Sequence, residues 1–399
     1  MPVGIYISVP FCRSKCSFCN FASGVFSREK MQRYVDRVQQ DVENAESLVC
    51  KLNATFDRRA DSIYLGGGTP STLSSDQLRQ IFSTIRNNFD ARPDSEITVE
   101  CAPGTLPPEM IATLVACGVN RVSLGVQSFI DKEAAAVGRL HTRAQTLADI
   151  DHLRAAGISN INLDLIAGLP HQTNASWHES LQQVLNTGVP HISVYILEVD
   201  EESRLGRELI AGGTKYHAHH VPDADLAADL YLEAIDFLTL NGIQQYEISN
   251  FARAGRESMH NLKYWTRQPY IGFGLDAHSM LPALVSGADG PVALRLATTD
   301  DLDPFLLGAA QPEVTPVSKV NALEESMFLG LRLNAGIDLQ EIKRHLGLDP
   351  RQEFADEIKE LLELGLLEQC GTHLRLTQRG RLLSNEVFER FIATTVSPR

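Results

Sequence analysis

The chain has 399 residues, a formal net charge of −14, 43% hydrophobic and 22% charged residues. That length exceeds an ordinary single domain unless one large α/β barrel takes most of it. The acidic balance argues against a general nucleic-acid or anionic-membrane surface, since both depend on clustered Lys and Arg.

The opening "MPVGIYISVPFC" reads as a first strand and not as a signal peptide, so the cytoplasm is the expected compartment. No apolar run approaches the roughly 20 residues that cross a bilayer. Further predicted strands follow at 62–68, 95–101, 121–127, 160–168 and 191–199. Between them lie amphipathic stretches that predict helices. "SREKMQRYVDRVQQDVENAES" has Ser27 as N-cap, "SSDQLRQIFSTIRNNF" starts at Ser74, and "PPEMIATLVACG" ends at Gly118. Strands separated by helices of this length imply right-handed crossovers and a parallel sheet. Six such units favour a closed or partly closed parallel barrel.

The unusual residues sit at the carboxyl ends of these strands. Cys12, Cys16 and Cys19 follow the first, and "GGGTPS" (Gly66, Gly67, Gly68, Thr69 and on) follows the second. Glu100, Gln127, Asp164 and Glu198 mark the third to sixth. In a parallel barrel these ends share one face, where such barrels place their chemistry. Past the loop 287–301 the rhythm becomes helix-rich with a short ribbon near "LLEQCGTHLRLT", a pattern that resembles a winged helix. The expected division is therefore 1–290 and 291–399. The acidic "DEIKELLE" stretch argues against DNA binding by the second part, which reads as a lid or packing domain.

The cysteine count is odd, which does not suggest a disulfide framework. Cys50, Cys101, Cys117 and Cys370 stand alone and read as small buried hydrophobes. The clustered three are different. Structural zinc wants four ligands, and the nearest downstream histidine is His141. A redox disulfide between Cys16 and Cys19 would leave Cys12 surplus. An iron–sulfur cube fits better, because three thiolates leave one iron open to an exchangeable ligand.

Cys-x-x-x-Cys-x-x-Cys after the first strand of a parallel barrel resembles the radical S-adenosylmethionine (SAM) superfamily. The resemblance implies a [4Fe–4S] cluster on Cys12, Cys16 and Cys19, SAM on the open iron, an electron donor for the cluster, and reductive cleavage of SAM to a 5′-deoxyadenosyl radical. It implies SAM contacts from the Gly66–Thr69 run, whose missing Cβ atoms let backbone approach closely, and from Arg139, whose fork suits a carboxylate. Glu100, Gln127 and Asp164 are the expected polar contacts, and Tyr6 and Phe18 the expected packing partners.

"YISVPFC", "SLGVQSF", "GRLHT", "NINLDLIAGLPHQT" and "YEISNFA" are further similar to the oxygen-independent coproporphyrinogen III oxidase-like family. The oxidases carry another cysteine two positions after the third; this chain has "CNF", with Asn20 and Phe21. That departure points to the HemW-type heme chaperone branch, with oxidoreductase ancestry but without coproporphyrinogen oxidase activity. "HNLKYW" resembles that branch's His-Asn-x-x-Tyr-Trp motif and implies heme as cargo, contacted by His260, Tyr264 and Trp265 with His260 as iron ligand. Respiratory proteins, met transiently at the membrane, are the implied acceptors. His278 is expected near the adenosine, and "HAHH" (217–220) as a solvated loop. The alternatives are a tetrapyrrole-modifying radical enzyme and a zinc-binding winged-helix protein.

Overall fold

The computed structural model describes residues 1–284 and 290–392. Six parallel strands, β1 (Pro2–Val9), β2 (Asp57–Gly67), β3 (Asp90–Cys101), β4 (Arg121–Gln127), β5 (Asn160–Ala167) and β6 (His191–Ile196), lie side by side in chain order. Each is followed by at least one helix on the way to the next. This is the partial (β/α)6 barrel expected. It does not close on itself: beyond β6 the sheet continues antiparallel into β8 (Asn250–Ala252) and β7 (Gln244–Glu247). Beyond β1 it continues through β9 (Tyr270–Phe273), β10 (His278–Pro282), β11 (Ala293–Ala297) and β12 (Glu313–Val317).

The strands form where the sequence predicts them, with shifted ends. β2 and β3 begin at Asp57 and Asp90, ahead of their apolar runs. Of those first residues, "DRRA" and "DARPD", only Ala60 is fully buried, so no apolar pattern announces them. β1 carries the burial pattern of a covered parallel strand, with Val3, Ile5, Ile7 and Val9 fully buried. The helices obey their caps. Ser27 accepts from the Lys30 N–H at the start of Arg28–Glu43, and Ser74 forms a capping box with Gln77 at the start of Ser75–Asn88.

The expected junction at 287–301 begins within 285–289, outside the described residues. β11 and β12 follow it yet belong to the large sheet. A second apolar core, separate from that of the barrel, runs from Met327 to Phe391. We therefore propose that the two units meet between Val317 and Met327. The second unit places helices Lys319–Gly330, Leu339–Leu346 and Ala355–Glu363 around a three-stranded antiparallel sheet. Its strands are β13 (Ile337–Asp338), β15 (His373–Leu376) and β14 (Leu367–Cys370), in that order across the sheet. That is the winged-helix arrangement the sequence suggests. Two of the four lone cysteines, Cys101 and Cys117, are buried as expected; Cys50 and Cys370 are instead exposed. Among the described residues no helix is long and apolar enough to cross a membrane.

Candidate functional site

The three clustered cysteines lie on the loop that leaves β1, all reduced and all partly buried. The loop is fixed by backbone bonds: Cys12 N–H to Gly24 O at 2.8 Å, Gly24 N–H to Pro10 O at 2.9 Å, and Cys19 N–H to Cys16 O at 3.4 Å. Ser17 N–H reaches Val137 O at 3.1 Å, which ties the loop to the segment carrying Arg139. Burial pushes the Cys12 and Cys16 thiols up, against the pull of the Arg139 guanidinium on both. Thiolates here need a metal or a cation to persist. Among the described residues only one trio of His, Cys, Asp or Glu brings its donor atoms within 4.8 Å of one another, and it is not this one. Three thiolates on one loop are the donor set that suits a multi-metal iron–sulfur cube, which takes cysteine ligands.

Below the loop runs the glycine ledge after β2. A Cβ on Gly68 would lie 2.7 Å from Val9 O and 2.9 Å from both Phe11 N and Phe11 O, so only glycine allows the ledge to lie against β1. The Gly68 N–H donates to Val9 O at 2.9 Å, and Thr69 N–H to Phe11 O at 2.7 Å. Thr69 Oγ1 in turn faces the Cys12 sulfur at 3.8 Å. A Cβ on Gly66 would come within 2.9 Å of a Glu100 carboxylate oxygen. The ledge therefore joins the cluster loop to the acidic wall of the barrel.

On that wall, Glu100 accepts from the Tyr64 hydroxyl at 2.7 Å and from the Gly67 N–H at 3.2 Å. Burial pushes its carboxyl up to about 7, the Tyr64 bond pulls it down, and the Asp164 charge adds to the rise. Asp164 accepts from Asn162 Nδ2 at 2.7 Å and from Ser123 at 3.1 Å, and burial likewise raises it. Gln127 sits at the end of β4 with φ +68, at a register irregularity in the β4–β5 ladder. A Cβ on Gly125 would be 3.0 Å from Arg139 Nη2 and 3.2 Å from Gln127 Nε2, so these two side chains flank one bare spot. Arg139 Nε is buried without a hydrogen-bond acceptor among the described residues. A half-buried guanidinium whose Nε is enclosed without an acceptor invites an anionic partner.

A cavity of about 170 Å³ opens beside these groups, lined in part by Arg13, Cys16, Thr69, Gly104, Arg139 and His141. Of the expected site residues, Cys16, Thr69 and Arg139 line this cavity, while Cys12 adjoins Thr69 and Gln127 lies beside Arg139. Phe18 packs on Val137, Ile166 and Leu169 at the rim. Tyr6 lies within the barrel, stacked on Tyr64 at 6.1 Å. Glu198 falls after β6 and is exposed. His141 lines the cavity, but its Nε2 is spent on Val126 O at 3.2 Å.

His260 is not on the surface. It is the second residue of the helix Met259–Trp265, is 1% exposed, and engages Ser62 Oγ through Nδ1 at 2.9 Å and the Tyr264 hydroxyl through Nε2 at 2.8 Å. Burial pushes its ring down to about 3, so it stays neutral. Glu96 receives the helix start, accepting from Met259 N–H and His260 N–H at 3.1 Å each. Trp265 faces the other way, under the Arg332 guanidinium of the second unit at 4.4 Å. His278 is exposed and lies 3.7 Å from Asp276.

Several interior groups escape a motif-based reading. Tyr64 and Asn162 are polar residues inside otherwise apolar strands, and that interruption is the signal that singles them out. Asn162 also bonds Ser193 at 3.0 Å and His191 at 2.6 Å, building a polar chain across the barrel floor.

Comparison with known proteins agrees with this geometry. The radical SAM superfamily model matches residues 6–184, and the HemN C-terminal domain model matches residues 317–383. Heme chaperone HemW of Bacillus subtilis (strain 168) is 33% identical over 388 residues, covering 97% of this chain and 98% of its own. The Lactococcus lactis protein of the same name is 32% identical over 398 residues, covering 99% of both. Among solved structures, coproporphyrinogen III oxidase (HemN) from Escherichia coli, a radical SAM enzyme, superposes with a TM-score of 0.81. That match covers 98% of this chain and 90% of the oxidase at 24% identity, and it speaks for the fold alone.

Proposed function

Because the chain belongs to the HemW heme chaperone family within the radical SAM superfamily, we propose that it binds heme and hands it to an acceptor protein. In this reading Cys12, Cys16 and Cys19 hold three corners of a [4Fe–4S] cluster, and SAM occupies the open corner. Bound there, the pair supplies one-electron reduction at a sulfonium, fed by an external electron donor. The chain's own part is binding and orientation. Arg139 offers its spare donor to a carboxylate, the Gly66–Thr69 ledge offers backbone, and Glu100, Gln127 and Asp164 offer acceptors to an amino group or ribose hydroxyls. Tyr6 and Phe18 wall the site off from water.

The single observation that carries the chaperone reading over the oxidase one is at Phe21. Where the oxidases have another cysteine, this chain presents an exposed phenyl ring and offers no thiol. The acceptor is a respiratory protein met at the membrane, with the chaperone itself working from the cytoplasm. Heme ligation by His260 carries a condition: Tyr264 must first release Nε2, because both ring nitrogens are taken.

Anaerobic reconstitution tests the proposal. The cluster's electron paramagnetic resonance signal should change when SAM is added, and hemin should titrate to saturation. Coproporphyrinogen III should not be consumed. Formation of protoporphyrinogen would reverse the ranking in favour of the oxidase.

A further inference from the structure

The segment around His217–His220 is more than a solvated loop. His171, on the turn that leaves β5, reaches into it. The ligating nitrogens of His171, His217 and His220 all lie within 4.8 Å of one another, and no other trio of donors among the described residues does so. His171 Nε2 is 3.3 Å from His217 Nδ1, and the His171 and His220 rings are 3.9 Å apart between centroids. We propose that these three histidines bind one divalent transition-metal ion of the zinc, copper, nickel or cobalt class, at a site separate from the cysteine loop.

The geometry is built from two distant stretches of chain, each fixed by a buried side chain. Gln172 holds the His171 turn, accepting from Gly168 N–H at 2.6 Å and Leu169 N–H at 3.2 Å while donating to Ile166 O at 3.1 Å. Glu208 holds the other stretch, accepting from Tyr216 N–H at 2.8 Å and Ala218 N–H at 3.1 Å. The two are joined directly, by His171 N–H to His220 O at 3.0 Å. His171 and His217 both occupy left-handed backbone, φ +70 and +61, a conformation the surrounding bonds must impose. The result aims three imidazoles at one point.

The chemistry selects the ion. Three imidazoles without a carboxylate or thiolate suit borderline metals and not magnesium or calcium. The His219 ring lies beside His220 in the same segment, 4.0 Å between centroids and tilted by 42°. A bound ion would tie the turn after β5 to the stretch after β6. That stretch is already tied to the cysteine loop by Leu205 N–H to Ser17 O at 2.8 Å.

The test uses tag-free, full-length protein with its cluster assembled, so that the cysteines are engaged. Zinc titrated in competition with a chromophoric chelator should show one tight equivalent. His217→Asn/His220→Asn, and separately His171→Asn, should weaken it at least about 100-fold, since loss even of an outer-shell partner costs 10–100-fold. Asparagine tolerates left-handed backbone, so these variants keep the loop geometry. Cluster absorbance and the SAM response should not change. Equal zinc affinity in the variants, or no stoichiometric zinc in the parent protein, would overturn the site. Cobalt gives a check that needs no variant: nitrogen-only ligation is expected, and a sulfur-to-cobalt charge-transfer band would place the metal on cysteine and refute the assignment. The heme proposal stands or falls separately, on hemin titration.

Discussion

Glu100 shows how one side chain can make a site respond to pH. Its carboxyl is raised by burial to about 7. A raised folded-state value favours the protonated form, so the native state is relieved of this strain below the unfolded value near 4.5. That relief is lost as the pH rises through about 7. The ionised carboxylate is the better acceptor for a cationic ligand. SAM affinity, measured by the cluster's spectral response, should therefore rise between pH 6 and 8, and Glu100→Gln should flatten the profile. Gly68 makes a sharper case. All three atoms its Cβ would strike are backbone, so Gly68→Ala should cost about 1–3 kcal/mol and lower cluster occupancy, read by denaturant melts and iron content. Cysteine spacing, the glycine run and Arg139 were legible because rare residue types at strand ends stand out. Tyr64 and Asn162 were not, since each becomes functional only through partners on neighbouring strands.

At the scale of elements, periodicity told strand from helix, and capping residues fixed the starts of Arg28–Glu43 and Ser75–Asn88. The exposed heads of β2 and β3 carried no such mark. The helix Met259–Trp265 is the clearest difference between motif and structure. Its aromatic and imidazole groups suggest a surface for a porphyrin, yet His260 faces inward and makes a stack with Tyr64 at 5.3 Å. Burial decides this, and burial depends on how the helix is received by Glu96 on β3. His260→Ala should open a cavity and orphan the Ser62 and Tyr264 hydroxyls, lowering stability by about 2–4 kcal/mol. Thermal unfolding and hemin titration on the same sample separate the roles. Lost hemin affinity with an unchanged melt would make His260 a ligand and not a bracket.

At the scale of the whole molecule, the sequence rhythm suggests two units divided at 290/291, and we propose that β11 and β12, which pair into the large sheet, belong to the first. Those strands pair antiparallel at one end of the sheet, where a change from crossover to hairpin resembles the start of a new domain. Only the ladder itself assigns them. The second unit then reaches the sheet near both of its ends. Leu333 bridges to Glu247 on β7 at one end, and Glu325 pairs with Arg295 on β11 at 2.7 Å near the other. Glu325 also pairs with Arg267, two positions past Trp265, at 2.7 Å. An unclosed cylinder whose two margins are buckled by the same part has no independent flaps. Anything that pries that buckle from one margin, whether a docking protein or a bulky flat guest, slackens the other margin at the same instant.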